Sequence, residues 1–507
     1  MSTDAKPICP VERDRLFRDL GERHLVLCVS GGPDSMALMH LIAHWAKTRW
    51  PEGSVRERIF VATVDHGLRP EAASEAAFVC REAARLGLSH QTLVWRGVKP
   101  VSGIQEAARE ARRRLLAEFA YRHTDASAPA TLVMAHHADD QAETFLMRLA
   151  RGSGLDGLSG MRKTDQVAVG VPSALLDAEA LEADALRARG PVPLIRPFLG
   201  VSRDRLHATL ASLGGQAIAD PSNEDDSFER VRVRKTLAAL GDVGLSAEKI
   251  ALSCRRLGDV RTFFDAERLM ALAVDDCEPQ ARLSLNEGVF ATCGFRRFAH
   301  ARNRHVGLSI LREILSAFGG ASRAAELSEV DDLFDWIFET DATARTLGGC
   351  KIEVLGGPHR LVRVYREVRG HGLPAVRLVP GANGAAGTGP DVSWDGGRCC
   401  ITTNAHTEAG VSVDALGSEG WVRLKRDVPG LERLKLPAAA MAALPVVRLN
   451  GDLRACPLLH RYLMKLPIEH RPIVQAWQRQ PYSGFANVEL RHRKPFLPGL
   501  LPGCGDL

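Results

Sequence analysis

Across residues 25–198, short apolar runs alternate with longer segments whose apolar positions recur every three or four residues. The runs at 25–29, 59–64, 90–94 and 131–135 predict strands, and the segments at 36–47, 71–86 and 105–122 predict amphipathic helices. Strand and helix in strict alternation imply an α/β fold, a parallel sheet with crossover helices, whose chemistry sits at the strand ends. Residues 175–189, rich in Ala, Leu, Asp and Glu, predict an inserted surface helix that Pro191 and Pro193 bring to an end. After the turn Asp220-Pro221-Ser222-Asn223 the pattern becomes helical and Arg-rich to about Arg345. Short strand-like runs at 351–354 and 359–365 follow, then a Gly/Pro-rich stretch at 379–397 that reads as a loop or linker. The expected organisation is a parallel-sheet, Rossmann-like N-terminal domain over 1–220, a helical domain over 221–345 and a smaller mixed α+β domain over 346–507.

Composition narrows the class. The chain has 507 residues, 45% hydrophobic and 25% charged, enough to bury several cores as a globular protein. No apolar run approaches the roughly 18 residues of a membrane helix. The first residues carry Asp4, Lys6, Glu12, Arg13 and Asp14 in place of a basic stretch and an apolar one, so no secretory signal is read and a cytoplasmic protein is expected. Eleven cysteines at irregular spacing, with no CxxC pair, argue against a disulfide framework, a zinc ribbon or an iron-sulfur site. The net charge of +5 is small for this length. Basic residues nevertheless cluster at 109–114 and 296–304, a pattern that suits either phosphates or a solvated helix face.

Three strand ends carry the chemistry. Ser30-Gly31-Gly32-Pro33-Asp34-Ser35 lies directly after the run LVLCV and directly before the helical run MALMHLIAHWA. Glycines admit a phosphate close to the backbone, the amides of a helix start point at it, and the two serines add donors. Asp34 suits an anion cradle only with a cation between it and the phosphates, which assigns it to Mg²⁺. The same residues also read as an ordinary turn with a helix cap. Val64, Asp65 and His66 end the second strand, and Ala135-His136-His137-Ala138-Asp139-Asp140-Gln141-Ala142-Glu143 follows the fourth. On a helix starting near Ala138, Asp139 and Glu143 are four apart and Asp140 and Glu143 three apart, so their carboxylates converge on one face. Those carboxylates suit amine binding, Mg²⁺ positioning or proton transfer, and equally the compensation of a helix dipole.

The loop resembles that of the PP-loop ATP pyrophosphatases, SGGxDS at the same strand-to-helix junction. Four blocks in order resemble one branch of that group, the tRNA(Ile)-lysidine synthetases: SGGPDS at 30–35, VDHGLR at 64–69, EAAREARR at 106–113 and AHHADDQAETFLMRLARGSGLDGLSGM at 135–161. Arg196-Pro197-Phe198 and the Asp220–Asn223 turn follow in the family's order, and the resemblance covers roughly residues 20–235. Three positions depart from it: Arg113 stands where the family often has Tyr, Val231 where Asn is common, and the 162–190 insertion is long.

The resemblance implies a ligase that uses ATP to adenylate the C2 oxygen of the wobble cytidine of a CAU-anticodon tRNA(Ile), after which the side-chain amine of free L-lysine attacks C2 and displaces AMP together with that oxygen. The lysidine formed pairs with A, so the tRNA reads AUA in place of AUG. On this scheme Ser30, Gly31, Gly32, Pro33, Asp34, Ser35, Val64, Asp65 and His66 bind ATP, with Asp34 at Mg²⁺. Arg109 and Arg112 stabilise charge at the α-phosphate, and Asp139, Asp140 and Glu143, unranked, hold or deprotonate lysine. His136 supports either step or is structural. Arg148, Arg151, Arg230, Arg232 and Arg234 are candidate tRNA contacts, and Arg296, Arg297, Arg302 and Arg304 join them as a cluster. No membrane partner is expected; the oligomeric state is left open, a homodimer included. The rival readings are a PP-loop tRNA thiolase, against which the lack of paired cysteines counts, a small-molecule amide-forming PP-loop enzyme, and a non-catalytic tRNA-binding protein.

Overall fold

The structure, a computed structural model, describes residues 5–21, 23–51, 54–68, 71–95, 99, 104–123, 130–167, 192–218, 229–273, 283–286, 289–320, 325–339, 341–368, 372–378, 392–395, 399–403, 410–481 and 488–492. The described residues up to Phe263 form one compact unit, and those from Phe264 onward a second.

The first unit is built on strands β1 (Leu25–Cys28), β2 (Ile59–Asp65), β3 (Ser89–Val94), β4 (Thr131–Val133), β5 (Thr164–Val167) and β6 (Val192–Ile195). Their order across the sheet is β3-β2-β1-β4-β6-β5. Every neighbouring pair is parallel except β5, which runs antiparallel to β6. The four strands expected from the apolar runs are therefore present. β1 and β4 stop short of those runs, although the amides of Val29 and Met134 still donate across the sheet, to Ala62 and Ile195 at 3.0 Å each. The β5–β6 edge was not expected, because its partners are separated by the insertion. The expected helix at 175–189, the Asp220–Asn223 turn and Arg69 lie outside the described residues.

Both faces of this sheet are buried, which is why its strands read as continuous apolar runs. Alternate residues of β1 enter opposite cores: Leu25 and Leu27 pack with the helices Pro33–Arg49, Ala72–Leu86 and Arg203–Ser212, while Val26 and Cys28 pack with Leu116, Phe119 and Ala120 of the helix Ile104–Arg122. Leu25, Val26 and Leu27 are fully buried, each side chain contributing about 1.5–3 kcal/mol of hydrophobic stabilisation. The helix Pro33–Arg49 packs against Arg203–Ser212, and the helix Ala138–Leu149 against Glu229–Asp242. These two packings assemble the site.

In the second unit the helices Ala301–Phe318 and Leu327–Ile337 share a core with an antiparallel sheet ordered Ala291–Gly294, Leu361–Arg366, Cys350–Gly356, Ala344–Leu347. The last of these strands runs across residues 345 and 346, where composition changes along the chain. A second four-stranded sheet is ordered Val376–Arg377, Val411–Ala415, Pro445–Leu449, Asp452–Ala455. A three-stranded one pairs Val392–Trp394, Cys399–Thr403 and Val488–His492, so part of the Gly/Pro-rich stretch at 379–397 is strand. Arg366 ties this unit together by donating to Gly349 O at 2.6 Å and to both oxygens of the buried Asp395 at 2.6 and 2.7 Å.

Candidate active site

β1 delivers the chain into a tight turn. Gly31 sits at φ +90°, a left-handed conformation that an L side chain resists, and its carbonyl accepts the Ile218 amide at 2.9 Å. A Cβ there would come 3.0 Å from Ile218 Cδ1. Gly32 is the N-cap and Pro33 the first residue of the helix Pro33–Arg49, where a missing N–H costs nothing. Ser35 Oγ closes the turn, donating to Gly32 O at 2.9 Å, accepting the Ser30 amide at 3.2 Å and lying 3.3 Å from Ser30 Oγ. The first turn of the helix leaves N–H groups without intrahelical partners, which makes this end a binding place for anions.

The acidic helix begins next door. His137 is its N-cap, and its amide donates to Asp140 Oδ2 at 3.1 Å. The His137 ring is buried among three carboxylates: Nε2 lies 3.4 Å from Asp34 Oδ2 and 3.5 Å from Asp140 Oδ2, and Nδ1 lies 3.5 Å from Asp139 Oδ2. Burial alone would depress its pKa, but the contacts with Asp139 and Asp34 and the charge of Asp140 outweigh burial and raise it to about 10. His137 is therefore an imidazolium at neutral pH. Burial disfavours ionisation of Asp34, yet His137 and His207 together hold its carboxyl well below the usual range. Asp139 is lowered too: burial opposes the charge, and His137 and the Arg203 amide, which donates to Oδ2 at 2.9 Å, stabilise it. Burial drives His136 the other way, down to about 4, so that ring is neutral.

Two arginines complete the cluster. Glu143, with only 1% of its side chain exposed, has Arg234 Nε at 2.9 Å from Oε1 and Arg230 Nε at 3.1 Å from Oε2. Arg230 also reaches Asp140 Oδ1 at 3.4 Å. Beyond the acidic helix, Gln141 accepts the Met161 amide at 2.7 Å and donates to the Met161 carbonyl at 2.9 Å. Arg148 donates to Gly157 O and Gly160 O at 2.8 and 3.2 Å. The GLDGLSGM segment is thereby folded back onto its own helix.

A family model described as a PP-loop domain matches residues 8–240. A tRNA(Ile)-lysidine synthase of Ruegeria pomeroyi is 34% identical over 436 residues, spanning 86% of this chain and 88% of that one. The chain belongs to the tRNA(Ile)-lysidine synthase family. Relatives of the same name from Methylobacterium nodulans and Bradyrhizobium diazoefficiens are 39% and 40% identical, covering 69% and 65% of this chain and 94% and 82% of their own. Among solved structures, the U34-tRNA thiolase NcsA from Methanococcus maripaludis aligns with 48% of this chain and 77% of its own at 16% identity and a TM-score of 0.36, too distant a likeness to bear on the chemistry.

In this lysidine synthase family member Asp34 of the loop and the residues Asp139 and Asp140 stand around one ring, that of His137, and Glu143 is linked to it through Arg230 and Asp140. Arg112 is half-buried on the helix Ile104–Arg122, and after burial its charge is among the influences that lower the pKa of His66 and of His136. Arg109 is exposed on the same helix. Val64 ends β2, Asp65 Oδ1 accepts the Gly67 amide at 2.7 Å, and His66 meets Trp95 edge-on at 6.2 Å between centroids. Among the arginines singled out for RNA, Arg148 is turned inward, Arg151 pairs with Glu229 at 2.6 Å, and Arg230 and Arg234 face the acidic helix; Arg232 stands on the same helix as the last two.

Sequence reasoning missed His207, whose Nε2 lies 3.0 Å from Asp34 Oδ1. Nothing in RDRLHATLAS marks that histidine, since its partner is 173 positions away. It also missed Gln141 as the brace of the GLSGM turn. As for a cation, no group of three His, Cys, Asp or Glu among the described residues forms a metal-ligand cluster. A single carboxylate at a helix-start turn fits Mg²⁺, which is commonly held by one or two carboxylates with the remaining ligands from phosphates and water.

Proposed function

We propose that this chain catalyses ATP-dependent attachment of L-lysine to C2 of the wobble cytidine of a CAU-anticodon tRNA(Ile), through an adenylated cytidine, releasing pyrophosphate and then AMP. The observation that carries the reading is that Asp34 of the nucleotide loop and Asp139 and Asp140 of the acidic helix meet within 3.5 Å of one buried imidazolium. A nucleotide-activating loop and an amine-receiving cluster thus adjoin, as a two-step activation and ligation needs.

In this scheme Ser30, Gly31, Gly32, Pro33 and Ser35 form the phosphate cradle, flanked by Val64, Asp65 and His66. Asp34 would hold Mg²⁺, which supplies charge neutralisation on the phosphates when bound. Arg109 and Arg112 stabilise negative charge at the α-phosphate. The ammonium of lysine must lose a proton before it attacks. Asp139, Asp140 and Glu143, unranked, are the carboxylates assigned to hold the ammonium and receive its proton. Arg230 and Arg234 are the cations that occupy Asp140 and Glu143 when lysine is absent. His136, neutral and half-buried, supports the cluster. The exposed Arg151, Arg230 and Arg232 and the half-buried Arg234 meet the anticodon stem-loop, and Arg148 shapes the adjoining turn. The setting is the cytoplasm, where ATP, lysine and tRNA occur together.

The test is direct. The protein is incubated with ATP, Mg²⁺, labelled lysine and a CAU-anticodon tRNA(Ile) transcript, and the RNA is digested and mapped. Lysine at the wobble base, lost in Asp34→Ala, is the expected result. Pyrophosphate release without lysine transfer would remove the ligation step, and sulfur incorporation in its place would favour the thiolase reading.

A further inference from the structure

We infer that His207 is a positioning residue for nucleotide activation: it fixes the Asp34 carboxylate through one oxygen so that the other is free to turn toward the cation that accompanies ATP. This rests on the reading of Asp34 as the cation-side carboxylate.

His207 lies on the helix Arg203–Ser212, on the turn between Leu206 and Leu210, both of which are buried in the core shared with the helix Pro33–Arg49. That helix is held at several points. Asp139 accepts the Arg203 amide at 2.9 Å, Arg205 forms a two-pronged pair with Glu12 at 2.8 and 2.7 Å, and Thr209 Oγ1 accepts the Ile8 amide at 2.9 Å. Its imidazole is thus presented from a fixed element rather than a loop, which is the arrangement a site needs if a carboxylate is to be set within a fraction of an ångström.

The two imidazoles on Asp34 are not equivalent. His137 Nε2 lies 3.4 Å from Oδ2 and has Asp140 at 3.5 Å as an alternative, with Asp139 at 3.5 Å from its other nitrogen. His207 Nε2 lies 3.0 Å from Oδ1, and among the described residues Asp34 is the carboxylate it meets at ion-pair distance. If one contact yields when a cation approaches, it is the longer one, because His137 keeps Asp139 and Asp140 within 3.5 Å while, among the described residues, His207 meets no other carboxylate at that distance. Oδ2 is therefore the oxygen released, and His207 on Oδ1 sets the direction in which it faces. Asp34, His207, Arg203, Asp139 and His137 close a ring of contacts that joins the loop to the acidic helix, so the orientation of Asp34 is set from both sides.

The full-length chain is compared as parent, His207→Ala, His207→Gln, Asp34→Asn and the Asp34→Asn/His207→Ala pair. ATP binding is measured calorimetrically as Mg²⁺ is raised, and tRNA-dependent pyrophosphate release gives kcat and KM. Losing a hydrogen bond to a charged group predicts that His207→Ala raises the Mg²⁺ needed for half-maximal ATP binding, and the KM for ATP, about tenfold. The kcat at saturation should stay within about threefold of the parent, and His207→Gln, whose amide N–H can occupy the place of Nε2, should recover most of the loss. In the Asp34→Asn background the alanine substitution should add little. An unchanged Mg²⁺ requirement in His207→Ala overturns the inference, as does a loss of equal size in the Asp34→Asn background or one that His207→Gln does not restore. If Asp34→Asn itself binds ATP and Mg²⁺ like the parent, the assignment of Asp34 falls, and the inference with it; if only Asp34→Asn is impaired, that assignment stands and the role of His207 falls alone.

Discussion

Glu143 and its arginines form an ion cluster that is lopsided in exposure, and the lopsidedness predicts unequal costs. The carboxylate has 1% of its surface exposed, whereas the side chains of Arg230 and Arg234 are 47% and 36% exposed. In Glu143→Gln the amide keeps the volume and part of the hydrogen bonding, and both guanidiniums can turn to water. That change should cost about 1 kcal/mol, near the net worth of a hydrogen bond exposed on one side. Arg230→Gln/Arg234→Gln instead leaves a buried carboxylate without a cation, a loss of about 3–5 kcal/mol. At about 2–4 °C per kcal/mol for a unit of this size, thermal scans of the full chain should show its first unit melting about 3 °C earlier in the glutamine variant and about 10 °C earlier in the double arginine variant. The triple variant, with no charge left to strand, should return close to Glu143→Gln. Equal losses in the two variants, or a triple variant as unstable as the double, would refute the account of Glu143 as the buried, dependent partner. The lysine-attachment assay on Glu143→Gln reads the chemical side: pyrophosphate release should persist while lysine transfer falls.

Two further perturbations probe the turn and the second unit. Gly31→Ala places a methyl 3.0 Å from Ile218 Cδ1 at φ +90°, and should weaken ATP binding about tenfold in a calorimetric titration through about 1–2 kcal/mol of backbone strain; an unaltered affinity would show that the turn is not held in this conformation when ATP binds. Arg366→Ala removes the two-pronged guanidinium from Asp395, whose side chain is 2% exposed, and should destabilise the second unit by about 1.5–3 kcal/mol in urea unfolding while leaving the melting of the first unit in place; a loss below about 0.5 kcal/mol would mean that the contact contributes nothing net to that unit.

Much of the first unit was legible in the sequence. A strand buried on both faces needs an unbroken apolar run, and a crossover helix needs a recurring apolar stripe, so β1 to β4 and their helices are written locally. The turn at Ser30 to Ser35 was legible for the same reason: both the positive φ of Gly31 and the Pro33 helix start are short-range demands. The acidic residues of the fourth strand end were visible through their helical spacing. The β5 edge was not, since an antiparallel pair joined through a long insertion leaves no local period.

Tertiary structure alone decided what those residues do to one another. Whether a carboxylate is a free base, a cap or half of an ion pair depends on groups brought in from distant parts of the chain. The packing of Arg203–Ser212 on Pro33–Arg49 carries His207 to Asp34, and the packing of Glu229–Asp242 on Ala138–Leu149 carries Arg230 and Arg234 to Glu143. The same packing buries His137 among three carboxylates and raises its pKa, while its neighbour His136 is driven down by burial. Identical side chains one position apart are thus shifted in opposite directions, because charge follows the surrounding field and the loss of water, and neither is encoded at the residue itself.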